Sequence, residues 1–290
     1  MGKKSQSSQG NNAQGQHAIQ VTLSDMDGTL LDTEAIYESV HQNYMSQYNI
    51  KVAQRELDLL RGTGAKNFHD LLSRKSAQFA IDNPCHITFS RERITEYYNV
   101  LAARPDLVSE IKPVLDKFKS LVNNNEPALI VTNSAFKTVE HTMAAASLKD
   151  VFWKNAIAAD YVIRQGYDVK PSGDPYLLGL DRMNRTHGAQ HSPLNCIVLE
   201  DSRVGVRSGL DFGGHILHVI TDVSQALSEA EVSQMRADSS YLKAHANNAF
   251  AHSHGLSYTA CKPEDFEAVY DGLVADSQQG AVLPRYNNLA

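Results

Sequence analysis

The sequence predicts an α/β protein in which a parallel β-sheet is flanked by helices. Short apolar, β-rich runs alternate with helical segments along the second half of the chain. These runs are continuously apolar, which is typical of parallel strands that are buried on both faces. A long all-helical stretch directly follows the first β-rich run and indicates an inserted helical unit. The expected architecture is therefore Rossmann-like, with a helical domain inserted after the first strand.

The first strand is predicted over residues 18–24, "AIQVTLS", and it ends at Asp25 and Asp27. Gly28 follows and permits the tight backbone needed there. Residues 34–105 are predicted to be helical, because apolar residues recur at spacings of three and four in "IYESVHQNYMSQY", "FHDLLSRKSAQFA" and "RERITEYYNVLAA". The segment "RGTGAKN" interrupts this pattern. Residues 1–16 are polar and of low complexity, so we expect a disordered tail.

Beyond the helical insert, a helix is predicted to begin near Pro113 and to lead into the strand of "ALIVTNS". A helix over residues 136–148 follows, and then come the apolar runs "NAIAADYV", "CIVLEDS" and "HILHVIT". Helices are expected after "GYDVKPSGDPY" and behind Gly205, and the C-terminal third is expected to be rich in helix. The predicted domains are a tail over 1–16, a Rossmann-like core over 17–34 and 106–290, and a helical domain over 35–105.

Composition excludes several classes of partner. The chain has 290 residues, of which 42% are hydrophobic and 21% charged, as in an ordinary globular protein. Its formal charge of -6 provides no basic surface for nucleic acid. No apolar run is long enough for a membrane span, and the first residues have no signal-peptide core. With three widely spaced cysteines, we expect a cytoplasmic protein that is a monomer or a small homo-oligomer.

Polar residues stand at the predicted strand ends, where parallel sheets bind ligands. They are Asp25, Asp27, Thr132, Asn133, Ser134, Lys170, Glu200 and Asp201. Two carboxylates about 4 Å apart repel by roughly 4 kcal/mol at an effective dielectric constant of 20, so a cation must complete such a site. An all-oxygen set suits Mg²⁺ together with substrate phosphate oxygens. Lys170 would balance the remaining charge, and Thr132 with the backbone N–H groups near Asn133 would hold phosphate oxygens.

The segments "DMDGTLLDTE", "LIVTNS", "VKPSGDPY" and "CIVLEDSRVGV" resemble the four ordered motifs of the haloacid dehalogenase-like superfamily. The resemblance is to its phosphatase and phosphomutase branch with a helical cap, and it covers about residues 18–222. It implies that the helical insert is a cap that closes over the active site. The loop "LRGTGAKNF" would project toward that site, where Arg61 and Lys66 would bind substrate or remain ordinary surface residues.

The resemblance also implies a role for each residue at the strand ends. Asp25 would be the nucleophile, and Asp27 would act as acid and then as base. Thr132 would hydrogen-bond the transferred phosphoryl group, and Lys170 would bridge it to the nucleophile. The other implied roles are substrate binding by Asn133 and Ser134, and Mg²⁺ binding by Asp25, Asp27 through its backbone carbonyl, Asp201 and Glu200.

Three functions follow from this resemblance. The first is a Mg²⁺-dependent phosphatase that hydrolyses a small sugar or polyol-type phosphomonoester through an aspartyl-phosphate. The second is a sugar phosphomutase like β-phosphoglucomutase, in which a cap histidine occupies the place taken here by Tyr37. His41, one helical turn on, keeps that alternative open. The third is a non-catalytic binding protein on the same fold.

Overall fold

The computed structural model of the protein describes residues 18–58, 60, 64–149, 156–221, 224–245 and 256–290. Within these residues, seven parallel strands form one sheet in the order β5-β4-β1-β6-β7-β8-β9. These strands are β1 Val21–Ser24, β4 Ala128–Val131, β5 Ala156–Ile157, β6 Cys196–Glu200, β7 His215–Val219, β8 Tyr258–Cys261 and β9 Asn287–Asn288. Two further strands, β2 Leu31–Asp32 and β3 Ser109–Glu110, pair antiparallel at the base of the helical insert.

The helices of the insert lie between β2 and β3, and those of the core follow β3. In the insert they are α1 Glu34–Gln47, α2 Gln54–Asp58, α3 Ala65–Lys75, α4 Ala77–Asp82 and α5 His86–Ala103. In the core they are α6 Lys112–Asn123, α7 Phe136–Ala145, α8 Ala159–Arg164, α9 Asp174–His187, α10 Arg203–Phe212, α11 Glu229–Asp238, α12 Ser240–Ala244 and α13 Phe266–Gln278. The predicted Rossmann-like sheet with helices inserted after the first strand is confirmed.

The sheet is buried on both faces, as its apolar strands predict. In β4, Ala128 and Ile130 pack into the hydrophobic core on one face, whereas Leu129 and Val131 pack into the core on the other. Because successive strand residues point to opposite faces, a continuous apolar run fills both cores at once. Helix α13 covers the first face, and helices α9 and α10 cover the second.

The helical insert has a hydrophobic core of its own. The buried side chains of this core are Ile50, Phe68, Leu72, Phe79 and Phe89. A second cluster, built on Ile36, Val40, Tyr97 and Leu101, joins α1 to α5. This cluster also contacts Ala145 of α7, so the insert packs against the core of the protein.

Two sequence predictions were wrong in detail. The run "NAIAADYV" is not one strand, because strand β5 has only two residues and helix α8 begins at Ala159. The carboxylate of Asp160 in that helix accepts a hydrogen bond from the backbone of Phe136, at the start of α7. The C-terminal third also contains β8 and β9, where Tyr258, Ala260 and Cys261 are buried beside β7. Four residues of mixed type are too few to show the periodicity on which the prediction relied.

None of the helices in the described residues is long and apolar enough to cross a membrane. The cytoplasmic location stays a prediction. The predicted disordered tail, residues 1–16, lies outside the described residues, and so does Arg61.

Candidate active site

The site lies where β1, β4 and β6 end, because β1 runs between the other two. Asp25 directly follows β1, and its backbone N–H donates to the carbonyl of Leu199 on β6 at 2.9 Å. Thr132 follows β4, and Glu200 is the last residue of β6. The parallel ladders therefore place these side chains at one edge of the sheet.

Lys170 is at the centre of the site. Its Nζ atom donates to Asp25 Oδ1 at 2.7 Å and to Glu200 Oε1 at 2.6 Å. The Asn133 side chain holds the Lys170 backbone, since its Nδ2 donates to the Lys170 carbonyl at 3.1 Å and its Oδ1 accepts from the Lys170 N–H at 3.0 Å. Lys170 is thus fixed at both its backbone and its ammonium group.

Glu200 is completely buried, and both of its carboxylate oxygens have donors. The Tyr176 hydroxyl donates to Oε1 at 2.5 Å, beside the bond from Lys170. Ser202 donates to Oε2 at 3.3 Å. Gly205 in the following helix leaves the room for this carboxylate, because an added Cβ would clash with it. The Glu200 carboxylate is thus fully hydrogen-bonded and contacts the Lys170 ammonium.

Asp201 lies beside the tight turn that follows β1. Gly28 in that turn has a φ of +84°, and an added Cβ would clash with the Asp201 carboxylate. The Thr29 hydroxyl donates to Asp201 Oδ1 at 3.3 Å. The glycine thus serves both the backbone conformation and the close approach of an acid.

Asp27 accepts hydrogen bonds from hydroxyl groups on both sides. Thr33 donates to Oδ1 at 2.8 Å, and Ser134 donates to Oδ2 at 2.7 Å. Thr132 is a weaker donor to the same oxygen at 3.5 Å, and it accepts the backbone N–H of Ser134 at 3.0 Å. The Tyr37 side chain from α1 lies close to both Asp27 and Ser134. This brings the helical insert to the acid.

Burial dominates the electrostatics of the site. It raises the pKa of Asp25 to about 8, although the Lys170 charge opposes the shift. Burial likewise raises the pKa of Asp27, against the hydroxyls of Ser134 and Thr33, and raises that of Asp201 far above its usual value. Burial opposes the charge on Lys170, but Asp25 and Glu200 outweigh it and raise the Lys170 pKa. The site is therefore short of positive charge.

This shortage fits a bound cation. Carboxylate oxygens of Asp25, Glu200 and Asp201 lie within 4.8 Å of one another. Hard oxygen ligands at this spacing suit a divalent ion such as Mg²⁺ or Ca²⁺. The acidic cluster is thus a candidate metal site.

The structure brings together all of the predicted residues that stand at strand ends. It gives Asn133 and Ser134 contacts other than those expected, because they hold Lys170 and Asp27. Lys66 lies on the exposed surface of α3, where it pairs with Asp70 at 2.7 Å. Substrate binding by Lys66 and by Arg61 stays a prediction.

Two contributors were missed by sequence reasoning. Tyr176 follows the motif lysine by six residues, and only the phase of helix α9 shows that its hydroxyl reaches Glu200. Thr33 stands within the quoted first motif, but nothing in its spacing indicated a bond to Asp27.

A model of the haloacid dehalogenase-like hydrolase family matches residues 19–213. The chain belongs to this family of hydrolases. The predicted family is thus confirmed, and the match includes all four motifs and the helical insert between the first two.

Characterised relatives of this hydrolase are distant. Hexitol phosphatase A of Escherichia coli is 24% identical over 201 residues, which cover 68% of this chain and 81% of that protein. Fructose-1-phosphate phosphatase YqaB of Escherichia coli is 27% identical over 186 residues, which cover 63% of this chain and 87% of that protein. A bifunctional riboflavin kinase/FMN phosphatase of Arabidopsis thaliana is 23% identical over 199 residues, or 68% of this chain, and the chain spans only 47% of its length.

Solved structures of other family members share the fold. CbbY of Rhodobacter sphaeroides, in complex with phosphate, superposes with a TM-score of 0.55 at 19% identity, covering 73% of this chain and 91% of CbbY. A family IA, variant 3 hydrolase of Entamoeba histolytica superposes with a TM-score of 0.57 at 21% identity. The superposition covers 74% of this chain and 89% of that hydrolase. At these identities the likeness shows the architecture alone.

Proposed function

We propose that this hydrolase is a Mg²⁺-dependent phosphatase that hydrolyses a small phosphomonoester through an aspartyl-phosphate on Asp25. The observation that supports it most is the pairing of two aspartates with different surroundings. Asp25 contacts the Lys170 ammonium at 2.7 Å, whereas Asp27 is surrounded by hydroxyl groups and has no cation in contact with it among the described residues. Lys170, together with a bound Mg²⁺, would offset the burial that raises the pKa of Asp25 and so favour its ionised, nucleophilic form, whereas the hydroxyl surroundings of Asp27 suit a carboxyl group that carries a proton.

In the first step, a carboxylate oxygen of Asp25 attacks phosphorus, and the bond from phosphorus to the ester oxygen breaks. Asp27 gives its proton to the departing oxygen. The raised pKa of Asp27 favours this role, because its protonated form persists to higher pH than that of an ordinary aspartate. Lys170 offsets the repulsion between the Asp25 carboxylate and the anionic phosphoryl group.

In the second step, water attacks the phosphorus of the aspartyl-phosphate while Asp27 takes its proton. The bond between phosphorus and Asp25 breaks, inorganic phosphate leaves, and both aspartates return to their starting states. Ser134 and Thr33 keep the Asp27 carboxylate in place through both steps, because each of its oxygens has a hydroxyl donor.

Asp25, Asp201 and the backbone carbonyl of Asp27 would hold the metal ion. Glu200 is assigned to Lys170 instead, since both of its oxygens already accept hydrogen bonds. Bound Mg²⁺ would supply positive charge that neutralises phosphate oxygens.

The substrate is proposed to be a sugar or polyol phosphate. The named activities of the hexitol and fructose-1-phosphate phosphatases support this class. The helical insert is proposed to act as a cap that contacts the leaving group, because Tyr37 brings α1 next to the acid Asp27.

The phosphatase is favoured over a phosphomutase by the surroundings of two residues in α1. Tyr37 lies next to Asp27 and offers no imidazole there. His41 packs on Phe68 inside the insert, with ring centroids 4.0 Å apart. Burial and then the charge of Arg93 lower the pKa of His41 to about 3, and no group of the catalytic site contributes to that shift.

The test is incubation with β-glucose 1-phosphate, Mg²⁺ and a trace of glucose 1,6-bisphosphate, with separate assays for glucose 6-phosphate and free phosphate. A parallel panel of sugar and polyol phosphates measures released phosphate alone. The phosphatase requires that free phosphate exceed glucose 6-phosphate and that a chelator stop its release. Glucose 6-phosphate in clear excess would establish the mutase. Absence of turnover with every phosphomonoester would favour the non-catalytic alternative.

A further inference from the structure

Arg93 is a half-buried cation in the helical insert, and its surroundings differ from those of every other cation described above. It lies on α5 one helical turn before Tyr97 and on the same face, opposite Tyr37 and His41 of α1, which are also one turn apart. The guanidinium carbon is 5.3 Å from the centroid of the Tyr37 ring. The rings of Tyr37 and Tyr97 are 4.9 Å apart. We call these four side chains the Arg93 cluster.

Arg93 has no counter-ion among the described residues. It makes no hydrogen bond or ion pair there, and its Nε atom is buried without a partner. The neighbouring Glu96 accepts instead from Asn43 of α1 at 2.6 Å. Burial lowers the pKa of Arg93, and the groups that oppose this shift are the neutral side chains of tyrosines, not carboxylates. Since buried polar groups in proteins are normally hydrogen-bonded, a guanidinium whose buried Nε atom has no partner favours an anion that is supplied from outside.

A second polar atom of the Arg93 cluster also lacks a partner. The Nε2 atom of His41 is buried and has no hydrogen-bond partner among the described residues. His41 stays neutral at physiological pH, so in its Nε2–H tautomer it can donate a hydrogen bond without adding charge. Arg93 Nε and this tautomer of His41 are suited to one oxygen-rich group.

The Arg93 cluster adjoins the proposed acid of the active site through Tyr37. Tyr37 contacts the Arg93 guanidinium and also lies near Asp27 and Ser134. Asp27 is the proposed donor of a proton to the leaving oxygen. An anion at Arg93 would therefore be carried by the leaving group of the substrate.

We propose that Arg93 binds a second anionic group, a carboxylate or a second phosphate, on the leaving group of the substrate. Among sugar and polyol phosphates, the hydrolase would thereby prefer those that carry this second anionic group over their neutral counterparts. A guanidinium suits this role because its planar donors bind carboxylate and phosphate oxygens in pairs while its face stacks on an aromatic ring. This inference rests on the proposed phosphatase function and specifies its substrate.

The first experiment compares matched substrates on the wild-type protein with Mg²⁺. Each pair consists of an alditol phosphate and the aldonate phosphate of the same length, with three to six carbons, so that CH₂OH is replaced by carboxylate at the far end. Alditol bisphosphates of the same lengths form the second arm. We expect kcat/KM to favour the acid by about 10- to 100-fold at one chain length, as befits hydrogen bonds to a charged group. A preference for the aldonate phosphates would identify the bound group as a carboxylate, and a preference for the bisphosphates would identify it as a second phosphate.

The second experiment repeats the comparison with Arg93→Gln, Arg93→Lys and the control Arg91→Gln. Arg91 lies on the same helix but is exposed. Arg93→Gln should remove the preference for the acidic substrate, chiefly through KM, and Arg93→Lys should keep part of it. Arg91→Gln should keep all of it. Thermal unfolding verifies that each variant is folded, and Arg93→Gln should not lower the midpoint, because Arg93 forms no hydrogen bond or ion pair among the described residues.

The outcomes separate this inference from the function on which it rests. A wild-type protein that hydrolyses neutral phosphomonoesters as well as their acidic partners at every length would overturn the role of Arg93 and leave the phosphatase standing. An equal loss on both members of each pair in Arg93→Gln, or the same change in Arg91→Gln, would also overturn it. A protein that releases phosphate from no phosphomonoester, p-nitrophenyl phosphate included, would overturn the proposed function itself.

Discussion

The sheet edge and the helical insert each hold a cation, and its surroundings are opposite in the two regions. The side chain of Lys170 is 3% exposed and contacts two carboxylates. Arg93 is half-buried, and it contacts the ring of Tyr37 and no carboxylate among the described residues. A cation with internal partners is held in place before any ligand binds, whereas a cation without them can pair with a ligand. We therefore propose that the chemical steps take place at the sheet edge and that the insert selects the substrate.

The two regions also differ in how they are held. At the sheet edge, backbone ladders position Asp25 and Glu200, and side chains such as Asn133 fix the connecting loops. The insert meets the core helix α7 through hydroxyl pairs, Tyr97 with Thr142 at 2.8 Å and Tyr98 with Thr138 at 3.1 Å. Among the described residues these two hydroxyl pairs join α5 of the insert to α7 of the core, an arrangement compatible with movement of the insert as a cap.

The largest expected effect is at the nucleophile. Asp25→Asn should lower kcat by at least about 10⁴-fold, because Asp25 is the proposed site of the phosphoenzyme and an amide is a poor nucleophile. It should not lower the thermal midpoint, since it removes one charge from a crowded acidic cluster. Steady-state phosphate release, thermal unfolding and acid-quenched labelling of the protein measure these effects. Phosphate release within tenfold of wild type would show that Asp25 is not the nucleophile.

Asp27→Asn should have the next largest effect and should lower the rate with an alkyl phosphate by about 10²- to 10⁴-fold. The asparagine keeps the backbone carbonyl but cannot donate the acid proton. An aryl phosphate needs little protonation of its leaving group. With that substrate, the rate at which Asp25 is phosphorylated should therefore fall less. Single-turnover rates with the two substrates make the comparison. Equal losses would assign proton transfer to another group.

Tyr176→Phe should have an intermediate effect, because it removes a hydroxyl that donates to Glu200 at 2.5 Å. We expect kcat to fall about tenfold through misplacement of Lys170, consistent with a hydrogen bond to a charged group. Tyr270→Phe is the matched control, since it removes a buried hydroxyl bonded to Thr22 at 2.8 Å, away from the catalytic residues. Both variants should lose stability, but only Tyr176→Phe should lose turnover. A parallel loss of kcat in both would mean that Tyr176 acts on folding alone.

The smallest effect is expected in the insert, from His41→Gln. In the folded protein the pKa of His41 is about 3, below its ordinary value near 6.5, so His41 binds a proton more readily in the unfolded chain. The stability that neutral His41 provides is thus complete above pH 6.5 and declines as pH falls toward 3, by at most about 1.4 kcal/mol per pH unit. His41→Gln should make the loss of stability between pH 7 and 4 less steep. Urea unfolding at several pH values tests this, and identical slopes would contradict the burial of a neutral imidazole.

The sequence by itself determined the sheet and the composition of the catalytic site. Continuous apolar runs can be buried only between two layers of helices, and parallel strands bring their carboxyl ends to one edge. Asp25, Lys170 and Glu200 could therefore be placed together before any coordinates were known. The motifs alone also identified the family that the match over residues 19–213 confirms.

Only the tertiary structure decided which atoms those side chains contact. Asn133 and Ser134 stand where phosphate ligands were expected, yet their side chains bond to Lys170 and Asp27. The hydroxyl of Tyr176 reaches Glu200, and the half-buried Arg93 has no counter-ion among the described residues, although the sequence pattern of its helix is that of an ordinary amphipathic segment. Chain order and strand topology determine where a backbone ends, but the direction of a side chain depends on the packing of elements that are distant in sequence.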